Sequence, residues 1–253
     1  MKKISTVIIT KNEAANIARC IRSVLKFSDE IIVIDDYSND QTEAICKEYN
    51  VIFVSHKFID FAHQKNKALS RASFPFIFSI DADEEVSSDL NTSILKAKVS
   101  GKSDFYTLNR CTNYMGKWIR YSGWYPDKKI RLWRKDKAKW VGAVHEVLTP
   151  KPKNAVQLSG DLLHHSYPSL RWHIEKINHY TDIAAKQMFE NGKHVSSFKI
   201  ILSMNFEFFK KFLIQLGFLD GYHGFLLALM SAYYTLVKYA KLRNLHLKSK
   251  QSV

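Results

Sequence analysis

Residues 6–35 have the sequence TVIITKNEAANIARCIRSVLKFSDEIIVID, which predicts a strand, a helix and a second strand. The apolar runs at both ends are rich in β-branched residues and poor in charge, as in strands buried on both faces of a parallel sheet. Between them, Ile17, Ile21, Val24 and Leu25 fall on one face of a helix. We therefore predict a β-α-β unit with the usual right-handed crossover.

The same alternation of strand and helix continues through the first hundred residues. It predicts a doubly wound, Rossmann-like α/β sheet. Thr10 with Glu13, and Ser38 with Gln41, have the spacing of capping boxes, which predicts that helices start directly after the first two strands. The predicted strands are residues 5–10, 31–35, 51–54 and 76–80.

The pattern changes near residue 105. Two further strands are predicted at residues 106–110 and 129–134, joined by an aromatic stretch, and helices are predicted from Pro168 to the end. We therefore expect one α/β domain over residues 1–168 and a helical extension over residues 169–253.

Positive charge is concentrated in that extension. The chain has a formal net charge of +14, and from Lys186 onward it contains ten Lys or Arg residues and three acidic residues. Such an excess attracts polyanions, including anionic lipid. Residues 221–237 are uncharged but short of the roughly twenty apolar residues of a spanning helix, which favours a helix lying in the membrane interface. A helix docked on the domain and a dimer interface are the alternatives.

The cysteines and the N-terminus indicate a compartment. Cys20, Cys46 and Cys111 are widely spaced and form no CxxC motif, so neither a disulfide framework nor a zinc site is predicted. The apolar run after Met1 is broken at Lys11, too early for a signal peptide. We expect a cytoplasmic protein, peripheral on the inner face of the membrane.

Three polar segments follow predicted strands, at residues 10–13, 35–38 and 81–84. Ligands of doubly wound sheets bind beyond the carboxyl ends of the strands. Asp81 and Asp83, two residues apart, can approach one cation, and Mg²⁺ or Mn²⁺ would fill its other positions with waters and substrate phosphates. A carboxylate at residues 35–36 can accept from a base or a ribose hydroxyl. For Asp81 and Asp83 the alternative is a solvated acidic turn, and for residues 35–36 it is a turn followed by a helix N-cap.

Four motifs in order resemble the donor-binding half of a family 2 glycosyltransferase with the GT-A fold. They are TVIITKNEAANIARCIRSV (6–24), EIIVIDDYSNDQT (30–42), QKNKALSRA (64–72) and FSIDADEEV (78–86). The resemblance implies a donor half over about residues 1–100, an acceptor half over about residues 101–168, and a divalent cation, Mg²⁺ or Mn²⁺, on Asp83. It implies that a nucleotide sugar contacts Thr10, Asn12, Glu13, Asp36, Lys65, Asn66, Asp81 and Ala82.

A weaker resemblance covers KIRLWRKDKAKWVGAVHE (129–146) and the pair His164-His165. This part is similar to a bacterial subgroup that includes lipopolysaccharide-core β-1,4-glucosyltransferases. It implies that Glu146 is the catalytic base, and that His164 or His165, with His165 preferred, reaches the metal or the diphosphate. It also implies contacts to acceptor or phosphate from His145, Arg131 and Trp124.

The resemblance implies an inverting transfer of a hexose, with UDP-glucose the first choice of donor, to a lipid-linked glycan such as the lipopolysaccharide inner core. In such a reaction a carboxylate deprotonates the acceptor hydroxyl, and the metal neutralises charge on the departing diphosphate. Processive members of the family carry Gln-x-x-Arg-Trp. Here Arg171-Trp172 is preceded by Pro168 at the glutamine position, which favours non-processive transfer.

The expected partners are a UDP-sugar, a lipid-linked glycan and the anionic inner-membrane surface, without nucleic acid. Three alternatives stay open at this point. The enzyme could transfer another UDP-sugar to a different cell-surface glycan or to a protein. A nucleotidyltransferase would share the sheet, but residues 10–15 lack the glycines of its loop. A non-catalytic, polyanion-binding protein would explain the charge but not the carboxylates at the strand ends.

Overall fold

The computed structural model describes residues 1–142 and 146–251. Short 3₁₀ and π-helical segments occupy Lys135–Lys137, Lys210–Ile214 and Gly217–Asp220. The strands are β1 (Ile4–Thr10), β2 (Glu30–Asp35), β3 (Ile52–Ser55), β4 (Phe76–Asp81), β5 (Glu84–Val86), β6 (Phe105–Tyr114), β7 (Lys117–Trp118), β8 (Asp127–Arg134), β9 (Lys139–Val141), β10 (Val147–Thr149) and β11 (Val156–Tyr167). The helices are α1 (Ile17–Val24), α2 (Thr42–Lys47), α3 (Phe61–Arg71), α4 (Ser88–Ser100), α5 (Leu170–Glu190), α6 (Ser197–Phe209) and α7 (Tyr222–Gln251).

The main sheet has the strand order β3-β2-β1-β4-β8-β6-β11-β5. Strands β3, β2, β1 and β4 run parallel to one another, as the β-α-β alternation predicted. Strand β8 joins β4 in antiparallel fashion and β6 pairs with β8 in the same way. The predicted class, an α/β fold with a Rossmann-like sheet and C-terminal helices, is confirmed.

Alternate residues of the parallel strands belong to two hydrophobic clusters. Ile8 and Val33 lie in one cluster, while Val7 and Ile34 lie in the other. Since successive side chains of a strand point to opposite faces, the two clusters lie on opposite sides of the sheet. Burial on both faces explains why these strands are nearly continuous β-branched runs.

Side-chain caps begin several helices, but not the first two. Ser87 accepts a hydrogen bond at the start of α4 and Ser169 does so at the start of α5. The predicted capping boxes are wrong: α1 and α2 begin at Ile17 and Thr42 without a side-chain cap. The Ser38 hydroxyl is already bonded to the Asn12 N–H and to Asp35, and α1 starts at Ile17, several residues beyond Thr10 and Glu13.

The described chain divides into two compact units. The first contains residues 1–110 and 127–164, and the second contains residues 111–126 and 165–253. The units therefore interleave along the sequence, and residues 111–126 group with the C-terminal helices. A functional division into residues 1–168 and 169–253 stays a prediction.

The second unit is built on helices and aromatic rings. The Tyr114 hydroxyl lies 2.9 Å from His173 Nδ1, and burial lowers the pKa of His173 to about 4. The buried Asp220 carboxylate accepts from the backbone N–H groups of Arg120 and Tyr121, at 3.2 and 2.9 Å. Among the described residues, every helix is too short or too polar to cross a bilayer.

Gly160 provides a test of this architecture. Its φ of +88° is in the region that favours glycine, and an added Cβ would lie 2.2 Å from the backbone nitrogen of Leu90. Because β11 passes so close to the start of α4, we expect Gly160→Ala to lower the free energy of unfolding by about 3 kcal/mol or more. Urea denaturation measures this change.

Gly101→Ala is the matched control in the same unit. Gly101 also has a positive φ, of +62°, but its Cβ would meet only the end of the Lys2 side chain. We expect it to cost about 1–2 kcal/mol, from backbone strain alone. Equal losses for the two variants would contradict the close approach of β11 to α4.

Candidate active site

The polar segments after β1, β2 and β4 lie side by side. The strand registers pair Thr10 with Asp35 and Ile9 with Asp81. The carboxyl ends of these strands therefore meet at one edge of the sheet, where doubly wound folds bind their ligands. The residues that the sequence singled out at three distant positions are brought to a single rim.

Hydrogen bonds lock the first two turns of this rim together. The Asn12 backbone N–H donates to Ser38 Oγ at 2.8 Å, and the Asn39 N–H donates to Asn12 Oδ1 at 2.9 Å. The Glu13 N–H donates to Thr42 Oγ1 at 2.9 Å. Asn12 has a φ of +54°, which asparagine tolerates better than most residues. Asn12 and Glu13 are thus fixed at the rim by residues of the neighbouring turn.

The two adjacent aspartates at the end of β2, Asp35 and Asp36, have different hydrogen-bond partners. Asp35 is buried and accepts from the Ser38 N–H at 2.8 Å, so it stabilises the turn. Asp36 accepts from the Phe58 N–H at 2.9 Å and from Lys11 Nζ. The hydrogen bond from Lys11 lowers the pKa of Asp36. Asp36 is therefore the ionised carboxylate of this turn that a ligand can reach.

An ion-pair network lies behind the Asp81 end of β4. Lys65 is only 3% exposed, and its Nζ lies 2.8 Å from Glu146 Oε1 and 3.1 Å from Asp81 Oδ1. Arg131 lies 2.9 Å from the other oxygen of Asp81. Burial alone would raise the pKa of Asp81, but the charges of Lys65 and Arg131 outweigh it and hold that pKa well below its usual range. The Lys65 ammonium group thus pairs with both Asp81, a predicted nucleotide contact, and Glu146, the predicted base.

Glu84 completes this network, and the sequence analysis gave it no role. Its side chain is fully buried and accepts from Arg131 at 2.7 Å and from the Asp81 N–H at 3.0 Å. Arg110 approaches the same carboxylate at 3.4 Å. A glutamate directly after Asp-x-Asp was the only available signal. Its arginine partners lie on β6 and β8, and the positions of these strands depend on the long-range pairing of β8 with β4 and of β6 with β8.

Asp83 lies outside that network and pairs with a histidine. His164 Nε2 is 3.2 Å from Asp83 Oδ2. Among residues 1–142 and 146–251, no three His, Cys, Asp or Glu side chains form a ready-made metal site. The Asp83 carboxylate suits Mg²⁺ or Mn²⁺, which take their remaining ligands from phosphates and water. An imidazole is a ligand of transition metals, so the pair fits Mn²⁺ better than Mg²⁺. His165, the preferred metal residue in the sequence analysis, packs its ring against Trp118, with centroids 5.1 Å apart.

The Asn66 side chain holds the strand that precedes Glu146. Its Nδ2 donates to the Trp140 carbonyl at 2.8 Å, and its Oδ1 accepts from the Trp140 N–H at 3.0 Å. Lys65 Nζ lies 4.9 Å from the centre of the Trp140 ring. Helix α3 therefore supplies one residue that pairs with Glu146 and another that anchors β9.

A cavity of about 640 Å³ opens onto the ion-pair network. The size suits a nucleotide sugar or part of an acceptor. Basic side chains predominate among its charged residues, which favours an anionic ligand. Its lining includes Lys65, Asp81, Arg110, Lys128, Lys129, Arg131, Trp140, Glu146 and Lys151.

Three predicted site residues remain, Ala82, Trp124 and His145. Ala82 is buried, between the two aspartates. Trp124 belongs to the second unit, where its ring packs against Tyr114 and Tyr167. His145 lies outside the described residues.

A doubly wound sheet with ionised carboxylates at its strand ends is an arrangement of nucleotide-binding α/β enzymes. The family model for glycosyl transferase family 2 matches residues 5–147, which is more than half of the chain. This chain belongs to glycosyltransferase family 2, as its motifs indicated.

Relatives of the chain carry the same assignment. An uncharacterized glycosyltransferase of Rickettsia typhi is 33% identical over all of this chain and 91% of its own length. The lipopolysaccharide core biosynthesis glycosyltransferase LpsC of Rhizobium meliloti is 29% identical over 99% of this chain and 96% of its own. Glucosyl-3-phosphoglycerate synthase from Mycobacterium tuberculosis, crystallised with Mn²⁺ and UDP, is 21% identical over 44% of each chain, with a TM-score of 0.37. A likeness that small carries no argument about this chain.

Arg131 tests the charge balance of the network. We expect Arg131→Met to lower the free energy of unfolding by about 3–5 kcal/mol at neutral pH, because it leaves the buried Glu84 carboxylate without its nearest cation and Asp81 with Lys65 alone. The folded pKa of Asp81 lies below its unfolded value of about 3.9, so its ion pairs stabilise the fold above that pH and lose their effect as pH falls further. Urea titrations from neutral to acidic pH should therefore show a shrinking difference from wild type.

Arg134→Met is the matched control on the same strand. Arg134 is 45% exposed and pairs with the exposed Asp136, so we expect a loss below about 1 kcal/mol. A similarly small loss for Arg131→Met would contradict the network.

Proposed function

We propose that the enzyme transfers one hexose, from UDP-glucose by first choice, with inversion and without processivity, to a lipid-linked glycan such as the lipopolysaccharide inner core. The observation that carries the proposal is the network in which Lys65 pairs with both Asp81 and Glu146 at the strand ends of a family 2 sheet. LpsC, a lipopolysaccharide core biosynthesis glycosyltransferase, is similar to this chain over nearly its whole length, which supports the choice of acceptor.

The donor nucleotide is proposed to lie along the rim formed by the first two turns. Asn12 and Glu13 are fixed there by the neighbouring turn, and Asp36 presents an ionised carboxylate for a ribose or uracil donor group. The further contacts proposed for the donor are Thr10, Lys65, Asn66, Asp81 and Ala82.

Asp83 and His164 are proposed to hold a divalent cation. They are within 3.2 Å of each other, and a carboxylate with an imidazole suits Mn²⁺ better than Mg²⁺ when the diphosphate completes the shell. A bound Mg²⁺ or Mn²⁺ would neutralise charge on the leaving diphosphate. The role of His165 stays a prediction from the sequence.

Glu146 is proposed to be the general base. It would accept the proton of the acceptor hydroxyl while that oxygen attacks C1 of the sugar and the bond from C1 to the diphosphate oxygen breaks. Lys65 orients Glu146 through the 2.8 Å ion pair. Arg131 acts through Asp81, which it holds in place.

The acceptor is proposed to be anionic and presented at a membrane. Lys128, Lys129 and Lys151 line the cavity, where they can attract phosphate groups of an inner-core glycan. His145 and Trp124 stay proposed acceptor contacts. The basic C-terminal helices would hold the enzyme at the anionic inner face of the cytoplasmic membrane, at about 1 kcal/mol for each lysine or arginine near the surface.

Release of UDP from a panel of UDP- and GDP-sugars, with and without Mn²⁺, tests the donor and metal proposals. We expect one UDP-hexose to be consumed in a metal-dependent way. Asp83→Asn should lower that rate about a hundredfold or more, because a metal supplies several kcal/mol of charge stabilisation.

Asp136→Asn, at an exposed carboxylate, should leave the rate unchanged. A normal rate for Asp83→Asn would remove this residue from the metal site. No release from any donor, together with no metal-dependent UDP binding by calorimetry, would refute the donor site itself.

Glu146→Gln separates the base from donor binding. We expect transfer to lipopolysaccharide truncated at the inner core to fall about 10²–10⁴-fold, while calorimetry shows UDP binding within a few-fold of wild type. Glu43→Gln, in a surface pair with Lys47, serves as the control. Full transfer by Glu146→Gln would assign the base elsewhere. Sugar release without transfer by the wild type would mean that the acceptor is another glycan.

A further inference from the structure

Helix α6 carries its apolar side chains on the outside. Of its thirteen residues, eight are apolar and only Ile200 is buried. Phe198 is 75% exposed and Phe206 is 59% exposed. An apolar stripe on a helix normally faces a protein core, so this one lacks a protein partner in the described second unit.

The exposed residues form one continuous stripe. Their spacing of three or four residues places them on one helical face, and the π-helical segment that follows extends it. The stripe, which we call the α6 face, consists of Phe198, Ile201, Leu202, Phe206, Phe209, Leu213 and Ile214.

The other side of α6 is packed within the second unit. Phe208 lies against Phe212 and Phe225, with ring centroids 5.7 and 5.9 Å apart, and α6 runs along α7. Helix α6 is therefore held in place by these contacts. The α6 face is the outward side of a helix whose inward side already has its contacts.

Composition directs attention to a different segment. Residues 221–237 are the longest uncharged stretch of the extension, but Leu227, Ala228 and Ala232 within it are buried in the second unit. More of the large apolar side chains exposed to solvent lie just before it, from Phe198 to Leu219.

The charge around the α6 face favours one kind of partner. Residues 191–253 contain nine lysine or arginine residues but only two acids, Glu207 and Asp220. Glu207 lies 3.4 Å from Lys210, and Asp220 is buried on backbone N–H groups. An anionic lipid surface complements this charge, whereas a second copy of the chain would bring the same basic segments together.

We propose that the α6 face inserts into the headgroup region of an anionic bilayer, with α6 lying in the plane of the membrane. An interfacial helix of this kind buries its apolar face by about 5–10 Å and keeps its lysines at the headgroups. The inference rests on the proposed membrane acceptor and adds which surface makes the contact.

The test uses full-length protein with an environment-sensitive fluorophore on an introduced cysteine. The native cysteines are all buried, so Phe206→Cys offers one exposed thiol on the α6 face. Val99→Cys, at a position that is 69% exposed on α4, offers one outside it. Vesicles of phosphatidylcholine alone and of phosphatidylcholine with phosphatidylglycerol are the probes.

We expect a blue shift at residue 206 with the phosphatidylglycerol vesicles only, weakened by added salt, and none at residue 99. Sedimentation with these vesicles should fall at least about tenfold for Phe206→Ser/Phe209→Ser. The matched double variant Leu95→Ser/Val99→Ser, on α4, should sediment as wild type does.

Two results would overturn the inference. One is sedimentation with vesicles without a shift at residue 206. The other is a shift at residue 206 that depends on protein concentration in the absence of lipid, which would assign the face to a second copy. UDP release measured without vesicles keeps the proposals apart. A wild-type protein that releases UDP normally but does not sediment with the vesicles counts against the α6 face alone, and one that binds lipid without UDP release counts against the proposed donor site alone.

Discussion

The site depends on the balance of charge behind the Asp-x-Asp segment. Lys65 and Arg131 are buried cations, and each has carboxylate partners from distant parts of the first unit. An unpaired charge in such a place costs several kcal/mol, so these groups stabilise the fold only as a set. The geometry of the site therefore depends on the position of β8 beside β4 and on the orientation of α3, because these elements carry the paired charges.

The network also divides the acidic residues by task. Glu84 is fully buried and pairs with Arg131, whereas Asp81 at the rim pairs with both Lys65 and Arg131, whose charges hold its pKa low. Asp83 lies outside the network, with His164 as its partner. Because the single ammonium of Lys65 pairs with both Asp81 and Glu146, we infer that a ligand drawing on Asp81 alters the surroundings of Glu146. One side chain, Lys65, therefore links the proposed donor contact Asp81 to the proposed base Glu146.

Much of this arrangement follows from local sequence. β-branched runs predicted the parallel strands, and parallel strands bring their carboxyl ends together, so the meeting of Thr10, Asp35 and Asp81 needed no long-range information. The second capping box failed because the Ser38 hydroxyl is bonded to the neighbouring turn, and the first failed because α1 starts only at Ile17. The arginine partners of Glu84 could not be predicted from the sequence, since they depend on the register that sets Phe78 opposite Leu132. The pairing of Asp83 with His164 required the same kind of knowledge.

The helical extension shows a different limit of sequence reasoning. Apolar periodicity states that one side of a helix avoids water, but it does not say whether protein or lipid covers that side. In α7 the second unit itself covers Leu227 and Ala228, whereas in α6 the equivalent stripe around Phe206 stays exposed. The two helices have similar patterns and different surroundings. The proposal that α6 faces a membrane therefore rests on the exposure of its stripe in the folded chain and on the excess of lysine nearby.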